Sequence, residues 1–258
     1  HYRKASHLLR HLAPDCLQSY HIRGRMVELP EEIIDEIDFY MYQTGHSAKE
    51  SDKEMCYQMP EYFLTNYPVK PLINSEPCYE SIGYAGNMYG RFHQFDIRRA
   101  AWQSLLAGAS AGITYGAGGV YSWHEYGKHF SPCIGEGFDM PHPWQIALHY
   151  PGAWDYSDIK HIFCEYKITD LNPRQDILLN ETKEIRIAEY QNRYFIYVPE
   201  NTTIKLKIDI NDIESITILD LETRRKEIGN KYKKDGICCL EMHTFGHDVL
   251  YIVELKNI

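Results

Sequence analysis

The stretch KPLINSEPCYE (residues 70–80) has the pattern of a buried strand that stops at a carboxylate. Leucine and isoleucine at positions 72 and 73 begin the apolar run, and Glu76 follows with Pro77 directly behind it. Proline has no backbone N–H to donate to a sheet, so we expect the strand to end there. Glu76 would then lie at the carboxyl end of a strand, where parallel sheets collect their ligands.

The segments on both sides of this strand alternate between helical and strand patterns. Helices are predicted at four places: residues 2–12, residues from Pro30 onward, residues 55–66, and a helix with Asp96 as its N-cap. Strands are predicted at residues 16–22, 39–43, 72–75 and 112–115. Because the two element types alternate, the sequence predicts a parallel sheet with helical crossovers.

Each predicted strand ends in polar or aromatic side chains. The carboxyl ends of neighbouring parallel strands meet at one edge of the sheet, so we expect these side chains to form one functional face. The candidates are His21, Gln43, His46, Glu76, Tyr79 and Trp123. The alternative interpretation is a set of loops that are merely polar.

The pattern changes between residues 168 and 176. Ile159, Ile162, Phe163 and Tyr166 have helical spacing and are predicted to pack back on the parallel sheet. Beyond them come short alternating strands separated by turn residues, a pattern typical of an antiparallel β-sandwich. The prediction is therefore an α/β domain over residues 1–170 and an all-β domain over residues 171–258.

Composition excludes several classes of function. A formal net charge of −9 argues against a nucleic-acid partner, and no apolar run reaches the roughly 20 residues of a membrane span. The seven cysteines are expected to be mostly buried thiols, and the thirteen histidines form no HExxH motif, so neither metal nor cofactor is predicted. Residues 1–12 lack the apolar core of a signal peptide but begin without Met, which leaves localisation open.

Five stretches resemble apiosidase-like glycoside hydrolases, in the order seen in that family. They are YHIRG, DFYMYQTGH, KPLINSEPCYE, RRAAWQSLLAGASAGITYGAGGVYSW and PGAWDYSDIKHIF. Residues 186–208, 216–229 and 245–255 are similar to the small β-sandwich, named for collagen binding, that follows the barrel in such proteins. The resemblance implies the C-terminal half of a (β/α)₈ TIM barrel, strands five to eight, followed by that sandwich.

The resemblance also implies roles for the candidate residues. NSEP would mark the end of the seventh barrel strand, which makes Glu76 the nucleophile of a retaining glycosidase. Tyr79, Tyr115 and Trp123 would stack on sugar rings. His21, Gln43 and His46 would bind hydroxyl groups, and Glu80 would at most support the site.

The chain departs from the family pattern in two places. Strand four, which carries the acid/base aspartate of the family, has no counterpart, and Asp15 precedes strand five at the wrong end to replace it. HTFGHD (residues 243–248) stands where the family more often has a pair of prolines. We therefore expect a preceding segment or a second chain to complete the barrel.

Three functions stay open on the sequence. The first is a retaining glycoside hydrolase acting on a plant or microbial polysaccharide. The second is a non-catalytic module that binds a polysaccharide or a protein matrix. The third is one half of a split enzyme.

Overall fold

The computed structural model describes residues 1–131 and 140–256. The helices are α1 (Tyr2–Leu12), α2 (Glu31–Ile34), α3 (Glu50–Lys53), α4 (Met55–Asn66), α5 (Gln94–Leu106), α6 (Gly118–Tyr121), α7 (Trp144–Ala147) and α8 (Pro151–Glu165). The strands are β1 (Tyr40–Gln43), β2 (Leu72–Glu76), β3 (Gly112–Ile113), β4 (Asn172–Pro173), β5 (Arg186–Tyr190), β6 (Arg193–Val198), β7 (Ile204–Leu206), β8 (Ile213–Asp220), β9 (Lys226–Ile228), β10 (Lys231–Lys234), β11 (Ile237–Leu240) and β12 (Val249–Leu255). No helix in these two ranges is long and apolar enough to cross a membrane.

Strands β1, β2 and β3 form a parallel sheet in sequence order. The parallel pairing predicted for these three segments is confirmed. Its core is made of aromatic and aliphatic side chains from the strands and from α4: Tyr40, Tyr42, Leu72, Met59 and Phe63. Helix α4 has the predicted bounds, and Pro60 lies inside it.

The strand predicted at residues 16–22 is wrong. The structure shows only one parallel bridge there, between His21 and Met41. Side chains take the place of the missing ladder: the Gln18 N–H donates to Asp38 Oδ2 at 2.7 Å, and Ser19 Oγ donates to the Phe39 carbonyl at 2.6 Å. Backbone groups bonded in this way no longer need a strand partner.

The C-terminal part consists of two antiparallel sheets. Six strands follow the order β4-β5-β6-β12-β8-β9, and three follow the order β10-β11-β7. Both sheets bury side chains in one hydrophobic core, to which the larger sheet gives Ile196, Ile218 and Tyr251 and the smaller gives Leu206 and Leu240. The two antiparallel sheets thus share one core.

The contacts between residues divide the chain into two compact units, and the boundary between these units does not lie at residue 170. One comprises His1–Phe92 and Ala109–Leu148, and the other comprises His93–Gly108 and His149–Ile258. Helices α5 and α8 therefore belong to the unit of the antiparallel sheets.

Two details predicted for these helices need correction. The N-cap of α5 is His93, and Asp96 lies three residues inside, where its Oδ2 accepts from the His93 N–H at 2.9 Å. The helix of Ile159 and Ile162 was predicted correctly, but it belongs to the unit of the antiparallel sheets and not to that of the parallel sheet. In that unit both residues line a cavity of about 140 Å³ together with Leu219. Periodicity defines the apolar face of a helix and leaves its partner undefined.

Arg98 of α5 is a buried charge with three acidic partners in the same unit. Its guanidinium bonds Asp248 at 2.6 and 3.0 Å, Asp155 at 3.1 Å and Glu222 at 2.9 Å. The side chains of Arg98, Asp155 and Asp248 are at most 2% exposed. Burial raises the pKa of Asp248, and hydrogen bonds from Arg98 and Tyr197 oppose that rise. The site is therefore a charge network whose members depend on one another.

Candidate active site

Glu76 is the last residue of β2, and its backbone is held from the neighbouring strand. Its carbonyl accepts hydrogen bonds from the N–H groups of Thr44 at 3.1 Å and Gly45 at 3.0 Å. The register between β1 and β2 shifts at Tyr42/Gln43, which brings Gln43 opposite Glu76. The backbone of Glu76 is thus fixed at the strand end, while its side chain stays 25% exposed.

Two imidazoles contact the Glu76 carboxylate, one at each oxygen. His46 Nε2 lies 3.3 Å from Oε1, and His21 Nε2 lies 3.4 Å from Oε2. The hydrogen bond from His46 lowers the pKa of Glu76 against the opposing effect of burial, and the charges of both histidines add to the lowering. Glu76 is therefore ionised over a wider pH range than an ordinary glutamate, as a nucleophile must be.

Tyr79 fixes the orientation of His46. Its backbone N–H points at His46 Nδ1 at 3.4 Å, and the two rings lie 4.5 Å apart. Since Nδ1 accepts this bond, Nε2 carries the proton in the neutral ring and donates it toward Glu76. Burial and the charge of Glu76 raise the pKa of Tyr79 to about 12, so its hydroxyl stays protonated and can donate to a ligand.

Gly116 leaves room for the Tyr79 ring. A Cβ at position 116 would lie 2.1 Å from Tyr79 Cδ1, far inside van der Waals contact. A Gly116→Ala substitution should therefore turn the ring away from His46 and cost about 1–3 kcal/mol, the usual range for overpacking. Chemical denaturation would measure the loss. Gly246→Ala is the matched control because no atom lies within 4 Å of that Cβ position, and equal stability of the two variants would contradict the expectation.

The structure brings five of the predicted residues into contact with one another, and two others contact different side chains. Gln43 Nε2 lies 3.5 Å from His21 Nδ1 and also donates to the Ile22 carbonyl, so it holds the His21 ring beside Glu76. The two remaining candidates have other partners: Tyr115 donates its hydroxyl to Glu80 Oε2 at 2.7 Å, and Trp123 stacks on Trp144. The cluster around Glu76 is His21, Gln43, His46 and Tyr79.

The sequence did not reveal three other residues near these groups. Trp144 forms a stack with the exposed Trp123 at 4.9 Å and 7° between ring planes, Tyr121 lies 5.6 Å from the Tyr79 ring, and Gly116 makes the close approach described above. Trp144 lies 21 positions after Trp123 in the sequence, and helical or strand periodicity does not predict a contact between residues so far apart. Only Gly116 had a signal in the sequence. It follows the aromatic strand end at Tyr115, and glycine in such a place often allows another group to approach closely.

No group of three metal-ligating side chains is found among residues 1–131 and 140–256. The residues around Glu76 offer one carboxylate and two imidazoles, both of which are oriented by hydrogen bonds toward that carboxylate. The chemistry that this set supports directly is that of a charged carboxylate flanked by hydrogen-bond donors.

Solved structures with similar folds include proteins described as glycoside hydrolases. A protein described as a glycoside hydrolase matches with a TM-score of 0.80 at 19% identity, covering 96% of this chain and 60% of its own. A family 5 glycoside hydrolase from Bacteroides vulgatus ATCC 8482 matches with a TM-score of 0.80 at 20% identity, over 96% and 57%. A GH30 endoxylanase from Clostridium papyrosolvens C71 gives a TM-score of 0.51 at 9% identity, over 95% and 57%. A search of curated protein sequences gives no match.

The fold is thus a mixed α/β fold of the glycoside hydrolase type. The chain belongs to the family described as "Apiosidase-like, catalytic domain", whose sequence model matches residues 1–170. The resemblance to apiosidase-like proteins inferred from the sequence is thereby confirmed. The chain spans about three fifths of the length of the first two of these solved structures.

Proposed function

We propose that this chain is the C-terminal half of a (β/α)₈ glycoside hydrolase barrel followed by a β-sandwich, and that Glu76 is its nucleophile. The observation that supports the proposal most is the ionised carboxylate of Glu76 at the end of a parallel strand, contacted by His46 and His21. Membership of the apiosidase-like family agrees with it. The substrate class is a plant or microbial polysaccharide, and apiosides are the first candidates because the family is named for them.

The proposed reaction is a double displacement. Glu76 attacks the anomeric carbon while the bond from that carbon to the leaving oxygen breaks, and the leaving oxygen takes a proton from a second carboxylic acid. A water molecule, deprotonated by that same second residue, then hydrolyses the glycosyl ester and frees Glu76. In this scheme His46 and His21 keep Glu76 ionised, and Tyr79 offers its hydroxyl and ring to the sugar.

In this proposal the second carboxylic acid comes from a barrel strand outside residues 1–258. A retaining enzyme places it about 5–5.5 Å from the nucleophile, too close for water to attack between the two groups. The solved relatives are longer than this chain, which is consistent with a barrel completed by other residues. A preceding segment and a separate chain, as in a split enzyme, both satisfy this requirement.

Covalent trapping tests the proposal directly. The protein encoded by the complete reading frame would be incubated with activated 2-deoxy-2-fluoro glycosides of pentoses and hexoses, including apiose, and digested for mass spectrometry. We expect the sugar on the peptide that contains Glu76. A label on another carboxylate, or hydrolysis that proceeds by inversion, would contradict the assignment.

Replacing His46 should move the acidic limb of the pH profile. The folded pKa of Glu76 is lowered chiefly by His46, so in His46→Phe burial acts almost unopposed and the pKa rises. Because only the ionised form attacks, kcat/KM should fall most at acidic pH, and its acidic limb should shift upward. Phenylalanine keeps a ring against Tyr79, and His11→Gln at an exposed position is the control. An unchanged acidic limb in His46→Phe would show that His46 does not set the pKa of Glu76.

A further inference from the structure

A second cavity lies in the unit of the antiparallel sheets, apart from the Glu76 cluster. Its volume is about 380 Å³, within the range of pockets that hold small ligands. Two aromatic side chains, Phe95 and Phe245, line it together with Asn201, Glu200 and His247. We propose that this cavity binds a sugar residue of a polysaccharide, as a site separate from the proposed catalytic centre.

The floor of the cavity is rigid. Arg98 and Asp248 both line it, and they are joined to each other by hydrogen bonds of 2.6 and 3.0 Å. Tyr197 also donates to Asp248 at 3.1 Å. Asn201 Nδ2 donates to the His243 carbonyl at 2.9 Å, which ties one rim of the cavity to the loop before β12. A cavity held open in this way binds without first paying for ordering its walls.

The aromatic walls are held by cations. The Arg99 guanidinium carbon lies 5.4 Å from the centroid of the Phe95 ring, and that of Arg225 lies 5.9 Å from the Phe245 ring. Both are cation–π distances, so each phenylalanine has one partner that limits its motion. Phe95 and Phe245 are half-buried, and the cavity therefore offers apolar surface beside polar groups.

The charges of the cavity disfavour an anionic ligand. Three carboxylates, Glu200, Glu222 and Asp248, line it with one arginine, Arg98. Asp248 and one oxygen of Glu222 are already bonded to Arg98, which leaves too few free ligands for a metal ion. Carboxylate and amide oxygens that remain on the rim accept hydrogen bonds, and hydroxyl groups donate them. Apolar faces combined with many hydroxyl donors are the chemistry of a sugar ring.

A substitution at Gly246, which lines the cavity, can be used to fill it. No atom lies within 4 Å of its Cβ position, so a larger side chain can enter the open space without a backbone clash. Gly246→Leu should occupy the cavity and leave its polar groups unchanged, while Gly246→Ala is too small to block it. Glu200→Ala removes one exposed acceptor from the rim and serves as a second variant in case Gly246→Leu folds poorly.

Affinity electrophoresis in native gels containing pectin, xylan or arabinogalactan provides the test, with gelatin gels alongside. All proteins would carry Glu76→Gln so that the polysaccharide is not cut. We expect at least one polysaccharide to retard the parent, Gly246→Ala and Tyr79→Ala proteins. Gly246→Leu should raise the dissociation constant about ten-fold or more, the change that ~1.4 kcal/mol of lost binding energy produces. Glu200→Ala should raise it less.

Several results would overturn the proposal. They are equal retardation of the parent and of a folded Gly246→Leu protein, loss of retardation in Tyr79→Ala, and no retardation in any polysaccharide gel. Retardation in gelatin alone would mean that the unit binds a protein matrix and not a sugar. The readout does not depend on turnover, so failure of this site and failure of the proposed enzyme activity are distinguishable.

Discussion

Glu76→Gln is expected to reduce turnover on a verified substrate by ~10³-fold or more, which corresponds to about 4 kcal/mol of lost transition-state stabilisation. Glutamine keeps the shape of the side chain and can still bond His46, but it carries no charge and forms no glycosyl ester. The measurement is kcat/KM of the protein from the complete reading frame, with and without the substitution. Glu28→Gln, an exposed carboxylate in the same unit, is the control and should keep full activity.

The same substitution should barely change folding. We expect a stability loss below about 1 kcal/mol near neutral pH, because Glu76 lies at a partly exposed strand end. The folded pKa of Glu76 is lowered, so its contribution is present above the unfolded pKa and is lost as pH falls through the folded pKa. The difference in stability between Glu76→Gln and the parent should therefore vanish in acid. Full turnover by Glu76→Gln would refute the nucleophile assignment.

Arg98→Met is expected to destabilise the unit of the antiparallel sheets by about 3–5 kcal/mol. Methionine fills much of the space of arginine, so the loss reflects charge more than volume. It leaves Asp248 buried without its cation and Asp155 with Arg224 alone, and the pKa of Asp248 is already raised by burial. Urea denaturation followed by circular dichroism would measure the change in the free energy of unfolding.

Two further variants separate charge from packing. Arg193→Met removes an arginine that pairs with Glu254 at 2.9 Å in the same unit, with both side chains more than one fifth exposed, and should cost less than about 1 kcal/mol. Arg98→Met combined with Asp248→Asn should recover part of the loss, since one unpaired charge is then gone. Equal costs for Arg98→Met and Arg193→Met would show that burial of the Arg98 network does not govern its energy.

Local rules predicted the elements well and their neighbours less well. Helix α4 and the parallel strands β1 and β2 follow from runs of apolar residues bounded by turn residues. The strand expected at residues 16–22 failed because the side chains of Asp38 and Ser19 bond the backbone at that edge. Ile159 and Ile162 gave the correct helix face, but the partner of a face depends on the whole chain.

In the candidate site, too, the positions of residues on strands were predictable and their contacts were less so. His46 and Glu76 were both placed at strand ends, and parallel pairing of β1 with β2 is what brings them within 3.3 Å. Tyr115 was grouped with the sugar-binding aromatics, yet its hydroxyl is bonded to Glu80. A residue type and a strand position predict which edge a side chain occupies. The hydrogen-bond partner depends on local geometry that the sequence pattern does not specify.

The path of the chain between the two units limits how recombination can rearrange this protein in evolution. The chain enters the antiparallel unit at His93, leaves it at Gly108 and returns at His149, so helix α5 lies in sequence between strands β2 and β3. A gene fragment that begins at residue 171 would lack Arg98, which pairs with Asp248, and Asp155, which pairs with Arg98. It would also lack both helices that line the cavities of the unit. Residues 171–258 therefore do not form a complete unit that recombination could transfer to another protein by itself. A transferable segment has to include residues 93–108 as well, and these lie in sequence between β2 and β3.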